Sequence, residues 1–224
     1  MERAYVDSGG GSASAPAVVR GEELADLAEL YESDVMLVSV PFTPSPGAQR
    51  HAEAMASARA QRLTATARVE DGTVDPEALS ELAPDGTPDA RAWLEYVAEA
   101  TLVFADLLGA SLVGVRQVVA DGPHCPRFHV DRVHVRGVLN VLGSCTEWVD
   151  EADLDRPRLG HAGGADDSLS GLVRRGDQLR RAEAGSLSLF KGTAWPGAAE
   201  LAVVHRSPPA DGSRRVLLTL DWME

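Results

Sequence analysis

Two histidines and one aspartate in the second half of the chain could bind a single metal ion. His129 and Asp131 are separated by one residue, so on a β-strand their side chains point to the same face. His205 follows His129 by 76 positions, far enough for a strand from the opposite end of a β-fold to bring it to the same ion. Two histidines and a carboxylate occupy one face of an octahedral ferrous ion and leave the other face open for a co-substrate and oxygen. We therefore predict a metal site of His129, Asp131 and His205.

Two arginines near the C-terminus could bind a carboxylate beside this metal. Arg215 follows His205 by ten residues, across a turn at residues 208–212, and opens the last predicted strand. A guanidinium binds a carboxylate through two parallel hydrogen bonds. Arg215 is therefore predicted to hold the carboxylate of a co-substrate inside the fold. Arg214 should point to the opposite face and is the second candidate.

Two other interpretations of these residues stay open. His129 and Asp131 could form a hydrogen-bonded pair in a sheet that binds no metal. Zinc could instead be held between neighbouring strands by a cysteine-containing set, namely His124, Cys125, His129 and Cys145. Their spacing differs from the paired C-x-x-C pattern of structural zinc sites, and isolated cysteines are more often small buried apolar residues.

The elements that must position these residues change in character near residue 110. Before it, three-residue apolar spacing predicts helices, and Thr87 and Pro88 begin the longest helix, which Gly109 ends. Residues 34–40 predict a buried strand, and residues 63–76 fit a strand or a loop. The predicted N-terminal elements are a flexible tail at 1–20, short helices at 23–31 and 49–62, and the long helix at 88–108, all within a mainly helical part at 21–109.

After residue 109 the pattern is one of short β-runs separated by turn residues. Seven such runs in about 110 residues predict a β-sandwich or jelly roll, so the fold class is α+β with the helices packed on the β part at 110–224. Residues 151–171 should form a mobile loop that covers the site. The predicted strands are residues 111–120, 126–133, 135–142, 178–182, 187–191, 201–205 and 216–222.

Composition limits the classes of partner. The net charge of −13 repels phosphate backbones, so nucleic acid is not expected as a partner. No apolar run reaches the roughly 20 residues of a membrane span, and the first residues lack the pattern of a signal peptide. Two cysteines without an export signal predict reduced thiols and a cytoplasmic protein.

The β part resembles the iron(II)- and 2-oxoglutarate-dependent oxygenases. The resemblance implies a double-stranded β-helix (a cupin-like jelly roll), Fe(II) and 2-oxoglutarate as cofactors, and a small-molecule or peptide substrate. A non-redox zinc protein of metal homeostasis, and a cupin-like module with a vestigial site, are the alternatives. The matching elements are His129-Val130-Asp131, residues 136–142 and 185–192, His205, and Arg215 with Leu218-Thr219.

Most of the chain after residue 100 is also similar to a bacterial family, domain of unknown function 1826. This resemblance implies a fold and a metal site, and it implies no particular reaction. It is carried by residues 125–131 and 143–148, by Lys191-Gly192-Thr193-Ala194-Trp195, and by His205-Arg206-Ser207-Pro208.

Overall fold

The computed structural model describes residues 17–160, 170–174 and 179–223. Within them lie two α-helices, α1 (Pro46–Ala58) and α2 (Pro88–Leu108), and eleven strands. Short 3-10 helices span Leu24–Tyr31, Pro76–Leu82, Glu151–Asp153 and Arg156–Arg158. The strands are β1 (Ala17–Arg20), β2 (Val35–Pro41), β3 (Gln61–Glu70), β4 (Thr73–Val74), β5 (Leu112–Ala120), β6 (Val135–Leu142), β7 (Glu147–Val149), β8 (Leu179–Arg181), β9 (Ser186–Lys191), β10 (His205–Arg206) and β11 (Arg215–Trp222).

The strands form a large and a small sheet. The large sheet has eight strands in the order β1-β2-β9-β6-β11-β5-β3-β4, and all pairs are antiparallel except β1 with β2. The small sheet has three strands in the order β10-β7-β8, and residue His129 extends it by pairing with His205. The result is a mixed α+β fold dominated by antiparallel sheet.

The central strands of the large sheet, β9, β6 and β11, are buried on both faces, which explains their nearly continuous apolar character. On β11, Val216, Leu218 and Leu220 pack in the core that also contains the helices. Leu217 belongs to a second core with Trp148 of the small sheet. Because strand residues alternate between faces, the residues of β11 with odd numbers, from 215 to 221, face the small sheet.

Helix α2 follows its sequence signals closely. The Thr87 side chain accepts a hydrogen bond from the Ala90 amide at 3.1 Å, Pro88 begins the helix, and Gly109 ends it in the left-handed conformation with φ 66°. The indole of Trp93 donates to the side-chain oxygen of Gln117 on β5 at 2.8 Å, and both side chains are fully buried. This hydrogen bond fixes the helix against the sheet. In the described part of the chain, neither helix combines the length and the apolarity needed to cross a membrane.

The N-terminal part contains more strand than the sequence predicts. Most of residues 63–76, whose sequence fits a strand or a loop, lie in β3 and β4, and β2 and β3 both join the sheet of the C-terminal part. Of the predicted tail, residues 1–16 lie outside the described residues, and Ala17–Arg20 pair with β2. The first predicted helix is a 3-10 helix, and the second ends at Ala58 because β3 begins at Gln61.

The structure differs from the prediction at two strands of the β part. The segment at residues 126–133 is not a strand, since only His129 makes a β-bridge there. Pro123 and Pro126 have no amide hydrogen for a strand ladder, so the chain crosses between the sheets as an irregular segment. The strand predicted at 201–205 is reduced to His205–Arg206. Residues 161–169 of the predicted covering loop lie outside the described residues.

Gly192 fixes the position of the irregular segment that carries Asp131. Its amide donates to the carbonyl of His134 at 2.9 Å, and the next amide, that of Thr193, donates to the carbonyl of Asp131 at 2.8 Å. A Cβ atom at residue 192 would lie 2.1 Å from the Val133 carbonyl oxygen and 2.9 Å from that of Asp131. The close approach of these two backbones therefore requires glycine.

We expect Gly192→Ala to lower the free energy of unfolding by about 1–3 kcal/mol, because the added methyl group must displace backbone atoms. Urea denaturation of the metal-free protein measures this change. Gly122→Ala is the matched control, since its Cβ would meet only the Ala210 Cβ, at 4.0 Å, and its φ is not positive. Equal stability of the two variants would contradict the constraint.

Candidate metal centre

His129, Asp131 and His205 lie together in the structure. One ligand atom from each residue falls within 4.8 Å of the other two, and among the described residues no other group of histidine, cysteine or acidic side chains has this property. The amide of His129 donates to the carbonyl of His205 at 3.0 Å, and the amide of His205 donates back to the carbonyl of His129 at 3.0 Å. This reciprocal pair brings residues that are distant in sequence into register.

Both imidazoles are oriented by backbone carbonyls. His129 Nδ1 lies 2.9 Å from the Arg127 carbonyl oxygen, and His205 Nδ1 lies 3.0 Å from that of Val203. A carbonyl only accepts, so each Nδ1 carries a hydrogen, and in the neutral ring Nε2 is then the nitrogen with the free lone pair. The two Nε2 atoms face Asp131, at 4.0 Å from Oδ1 for His129 and 3.3 Å from Oδ2 for His205. Histidine ligands of metals are commonly held in this way.

Asp131 is held by Arg136, a residue that the sequence analysis did not place in the site. Arg136 Nη1 donates to Asp131 Oδ1 at 2.7 Å, and its Nε donates to Asp221 Oδ1 at 2.8 Å. Asp131 Oδ2 is buried and accepts no hydrogen bond, although His205 Nε2 is close by. A buried carboxylate oxygen without a donor is costly, so this atom is available to a cation. An arginine near the start of an otherwise apolar strand was the signal in the sequence.

The site favours the protonation states that bind metal. Burial and the nearby His205 lower the pKa of His129. Burial would raise the pKa of Asp131, but His205, Arg136 and His129 together outweigh it and hold that pKa below the ordinary value. A neutral imidazole and an ionised carboxylate are the forms that coordinate metals. The three residues thus fit a ferrous or zinc ion by chemistry and by orientation.

Arg215 presents an unpartnered cation on the same side of the large sheet. The residue is 4% exposed, and none of its Nε, Nη1 and Nη2 atoms has a hydrogen-bond partner. Burial lowers the pKa of this guanidinium. The nearby acid Glu147 is already bound by Arg181 Nη2 at 2.7 Å and by Arg206 Nε at 2.9 Å. Because a buried unpaired charge is costly, the surroundings of Arg215 are suited to an anionic ligand.

Other hydrogen-bond donors on this side also lack partners, and no pattern in the sequence identified them. Leu217 of β11 pairs with Asn140 of β6, and Thr219 of β11 pairs with Arg116 of β5. Asn140, Thr219 and Arg116 therefore lie on the same face of the sheet as Leu217. The sequence would have predicted this only if the strand register had been known. The buried atoms without a hydrogen-bond partner are Arg116 Nε, Asn140 Nδ2, Trp148 Nε1 and Thr219 Oγ1.

The remaining sequence candidates lie elsewhere. Arg214 forms an ion pair with Asp121 and donates to the carbonyls of Ala56 and Ala58, at 3.0 and 2.8 Å, so it joins the end of helix α1 to the loop after β5. Cys145 is buried and Cys125 is exposed. Neither cysteine, nor His124, joins a metal-ligand group within the described ranges, so the cysteine-containing zinc site is not formed.

The lowered pKa of His129 predicts a pH-dependent stability of the metal-free protein. Below about pH 6.5 the unfolded chain takes up a proton that the folded site resists, so the stability present above that pH is lost as the pH falls. We expect wild type to lose stability on acidification faster than His129→Gln, by at most about 1.4 kcal/mol per pH unit. Urea denaturation between pH 5 and 8 measures the difference, because the other histidines titrate in both proteins. Parallel curves would contradict the prediction.

The fold resembles those of several solved structures. A C-terminally truncated protein of Neurospora crassa, in apo form, has a TM-score of 0.50 at 8% identity, with 96% of this chain and 100% of that chain covered. A prolyl-4-hydroxylase from Pseudomonas putida has a TM-score of 0.48 at 16% identity, with 95% and 97% covered. An oxidoreductase of the 2OG-Fe(II) oxygenase family from Burkholderia pseudomallei has a TM-score of 0.43 at 11% identity, with 92% and 94% covered. At such identities the likeness is one of fold.

The sequence matches the model of a family but no curated protein. The family model matches residues 21–221, which include every residue of the metal centre and almost all of both sheets. This confirms the family resemblance found in the sequence, and the chain belongs to the family described as Protein of unknown function (DUF1826).

Proposed function

We propose that this chain is a non-haem Fe(II)- and 2-oxoglutarate-dependent oxygenase. The observation that carries the proposal is the buried, unpartnered guanidinium of Arg215 on the side of the sheet that faces the metal centre. The His205 ring contacts the ring of Phe190, with centroids 4.8 Å apart, and Phe190 shares an apolar core with Leu217, two residues from Arg215. A metal site and an anion site therefore adjoin one apolar core between the sheets.

The order of the strands supports a double-stranded β-helix. Four strands of the large sheet lie in the order β5-β11-β6-β9, and the small sheet, extended by His129, lies in the order His129-β10-β7-β8. The elements from β5 onward alternate between the large and the small sheet along the chain, except that β7 and β8 are consecutive in the small sheet. Their order along the chain is β5, His129, β6, β7, β8, β9, β10 and β11. Two four-membered sheets joined in this way are typical of the jelly roll.

Each residue of the site has a distinct role in this proposal. His129 and His205 would bind the metal through Nε2, and Asp131 would bind it through a carboxylate oxygen. Arg136 keeps Asp131 ionised and fixes its orientation. Arg215 would bind the carboxylate of 2-oxoglutarate that is remote from the metal. With Fe(II) and 2-oxoglutarate bound, O2 would be the oxidant: one oxygen atom would enter a C–H bond of the substrate, and the other would convert 2-oxoglutarate to succinate and CO2.

The apolar residues around the site exclude water from it. Phe190, Val138 and Leu217 are buried in the core between the sheets. A dry environment strengthens the attraction between Arg215 and a carboxylate and protects reactive species from side reactions. A zinc site without redox chemistry, or a vestigial pocket, would use or retain the same three ligands but would leave Arg215 without a partner. The oxygenase accounts for both features.

We expect anaerobic addition of Fe(II) and 2-oxoglutarate to the metal-free protein to produce a visible charge-transfer absorption. Arg215→Gln should retain Fe(II) binding and weaken 2-oxoglutarate binding by about tenfold or more, because a charge-assisted hydrogen bond contributes about 1.5–3 kcal/mol. Arg214→Gln removes the same charge from the neighbouring residue and should leave the titration unchanged. The proposal is wrong if wild type binds Fe(II) but neither absorbs nor binds 2-oxoglutarate.

We expect His205→Ala to abolish metal retention, since the site then loses one of three ligands. Elemental analysis of protein purified without an affinity tag measures the metal, and circular dichroism checks the fold. His134→Ala is the control, because that imidazole packs against Trp222, with ring centroids 5.5 Å apart, and is not in the metal group. Full metal content in the His205→Ala protein would exclude this residue as a ligand.

A further inference from the structure

We propose that the substrate of this site carries an oxyanion, such as a carboxylate or phosphate, which binds to Arg116, with Arg62 and His124 at the mouth of the site. The inference rests on the proposed oxygenase function and specifies its substrate class. The inference is based on two arginines on one face of the large sheet, Arg62 and Arg116. The metal and the co-substrate would not neutralise their charges.

Strand register places Arg62 and Arg116 on one face. Arg116 of β5 lies opposite Thr219 of β11, and Arg62 of β3 lies opposite Val118 of β5. Val118 packs in the core between the two sheets, so these side chains emerge on the same side as that core. Residues diagonal across two strands are about 7–8 Å apart, within reach of two arginines that bind one anion.

Arg116 has an unused hydrogen-bonding edge. Its Nε is buried and has no hydrogen-bond partner, and its Nη2 is 3.9 Å from Asp221 Oδ2, beyond hydrogen-bond distance. Asp221 is instead hydrogen-bonded to Arg136 at 2.8 Å. The Arg116 side chain is 30% exposed, so a ligand can reach it, and the hydroxyl of Thr219 opposite it also lacks a partner.

Charge balance indicates an anion at this position. A divalent metal with Asp131, a doubly charged co-substrate and Arg215 would be neutral in total, and Arg136 with Asp221 is neutral as well. Among the described residues, Arg62 and Arg116 then have no acid of their own, since Asp221, 3.9 Å from Arg116, is shared with Arg136, although the whole chain carries −13. Of the acids at this end of the sheet, Asp121 is paired with Arg214, and Asp211 accepts hydrogen bonds from Ser144 and Ser213.

An open cleft beside Arg62, which Arg116 does not line, has room for a small ligand. This cleft of about 310 Å³ lies at the ends of β3 and β5 and is lined in part by Arg62, Val118 and His124. This volume is at the lower end of the range for small-molecule sites, about 300–1,000 Å³. Burial, together with the charges of Arg62, Arg116 and Arg215, lowers the pKa of His124, so its neutral ring can donate or accept a hydrogen bond.

Inorganic phosphate is the probe for this site, titrated by calorimetry into the metal-loaded full chain under anaerobic conditions, with and without 2-oxoglutarate. We expect Arg116→Gln to weaken phosphate binding by about tenfold or more, and the exposed Arg62→Gln by a smaller factor. Affinity for 2-oxoglutarate should stay unchanged in both. Arg68→Gln is the matched control, because it removes the same charge from the exposed side of β3 but lies six residues from Arg62.

The outcomes separate this inference from the proposed function. Loss of phosphate binding in Arg116→Gln but not in Arg68→Gln supports the oxyanion site, and Arg62→Gln tests it in a variant with little risk of misfolding. The inference is overturned if wild type binds no phosphate, if Arg116→Gln and Arg62→Gln both bind it as wild type does, or if Arg116→Gln loses 2-oxoglutarate instead. Failure of wild type to bind 2-oxoglutarate counts against the oxygenase, and the titration without 2-oxoglutarate still decides the phosphate site.

Discussion

The metal centre depends on the reciprocal backbone hydrogen bonds between His129 and His205. These two bonds join the irregular segment at residues 121–134 to the short strand β10, and they place both imidazoles beside Asp131. The irregular segment makes a single β-bridge, and β10 has only two residues, so this pairing is not part of a long ladder of strand hydrogen bonds. The contact between the Gly192 region and the backbone near Asp131 supports the same segment from its other side.

Buried polar atoms without partners distinguish this site from an ordinary core. Native interiors leave few such atoms, because each one costs free energy. Here the unpartnered atoms include all three guanidinium nitrogens of Arg215, and those that face the core between the sheets are almost all donors. The exception is Asp131 Oδ2, an acceptor located where a cation would bind. An interior with this distribution is complementary to a metal ion and to oxygen-rich anions.

The fold and the charged side chains contribute to the proposed function in different ways. The fold supplies two facing sheets and the space between them. The chemistry depends on a few side chains, and a fold alone does not determine function. Arg136 connects the two, because one of its nitrogens holds Asp131 and another holds Asp221 on the central strand β11. The geometry of the metal ligand is thereby coupled to the large sheet.

The sequence by itself determined the local elements and the types of residue that could do chemistry. The signals at Thr87, Pro88 and Gly109 defined α2 because caps and left-handed glycines act within a few residues. The His129-x-Asp131 spacing, His205 and Arg215 were recognisable because metal and carboxylate binding need particular side chains. Only the tertiary structure decided that β2 and β3 join the C-terminal sheet, that residues 126–133 are irregular, and that Arg136 and Arg116 face the site. Those features depend on strand pairing between distant segments, which the local pattern of apolar residues does not specify.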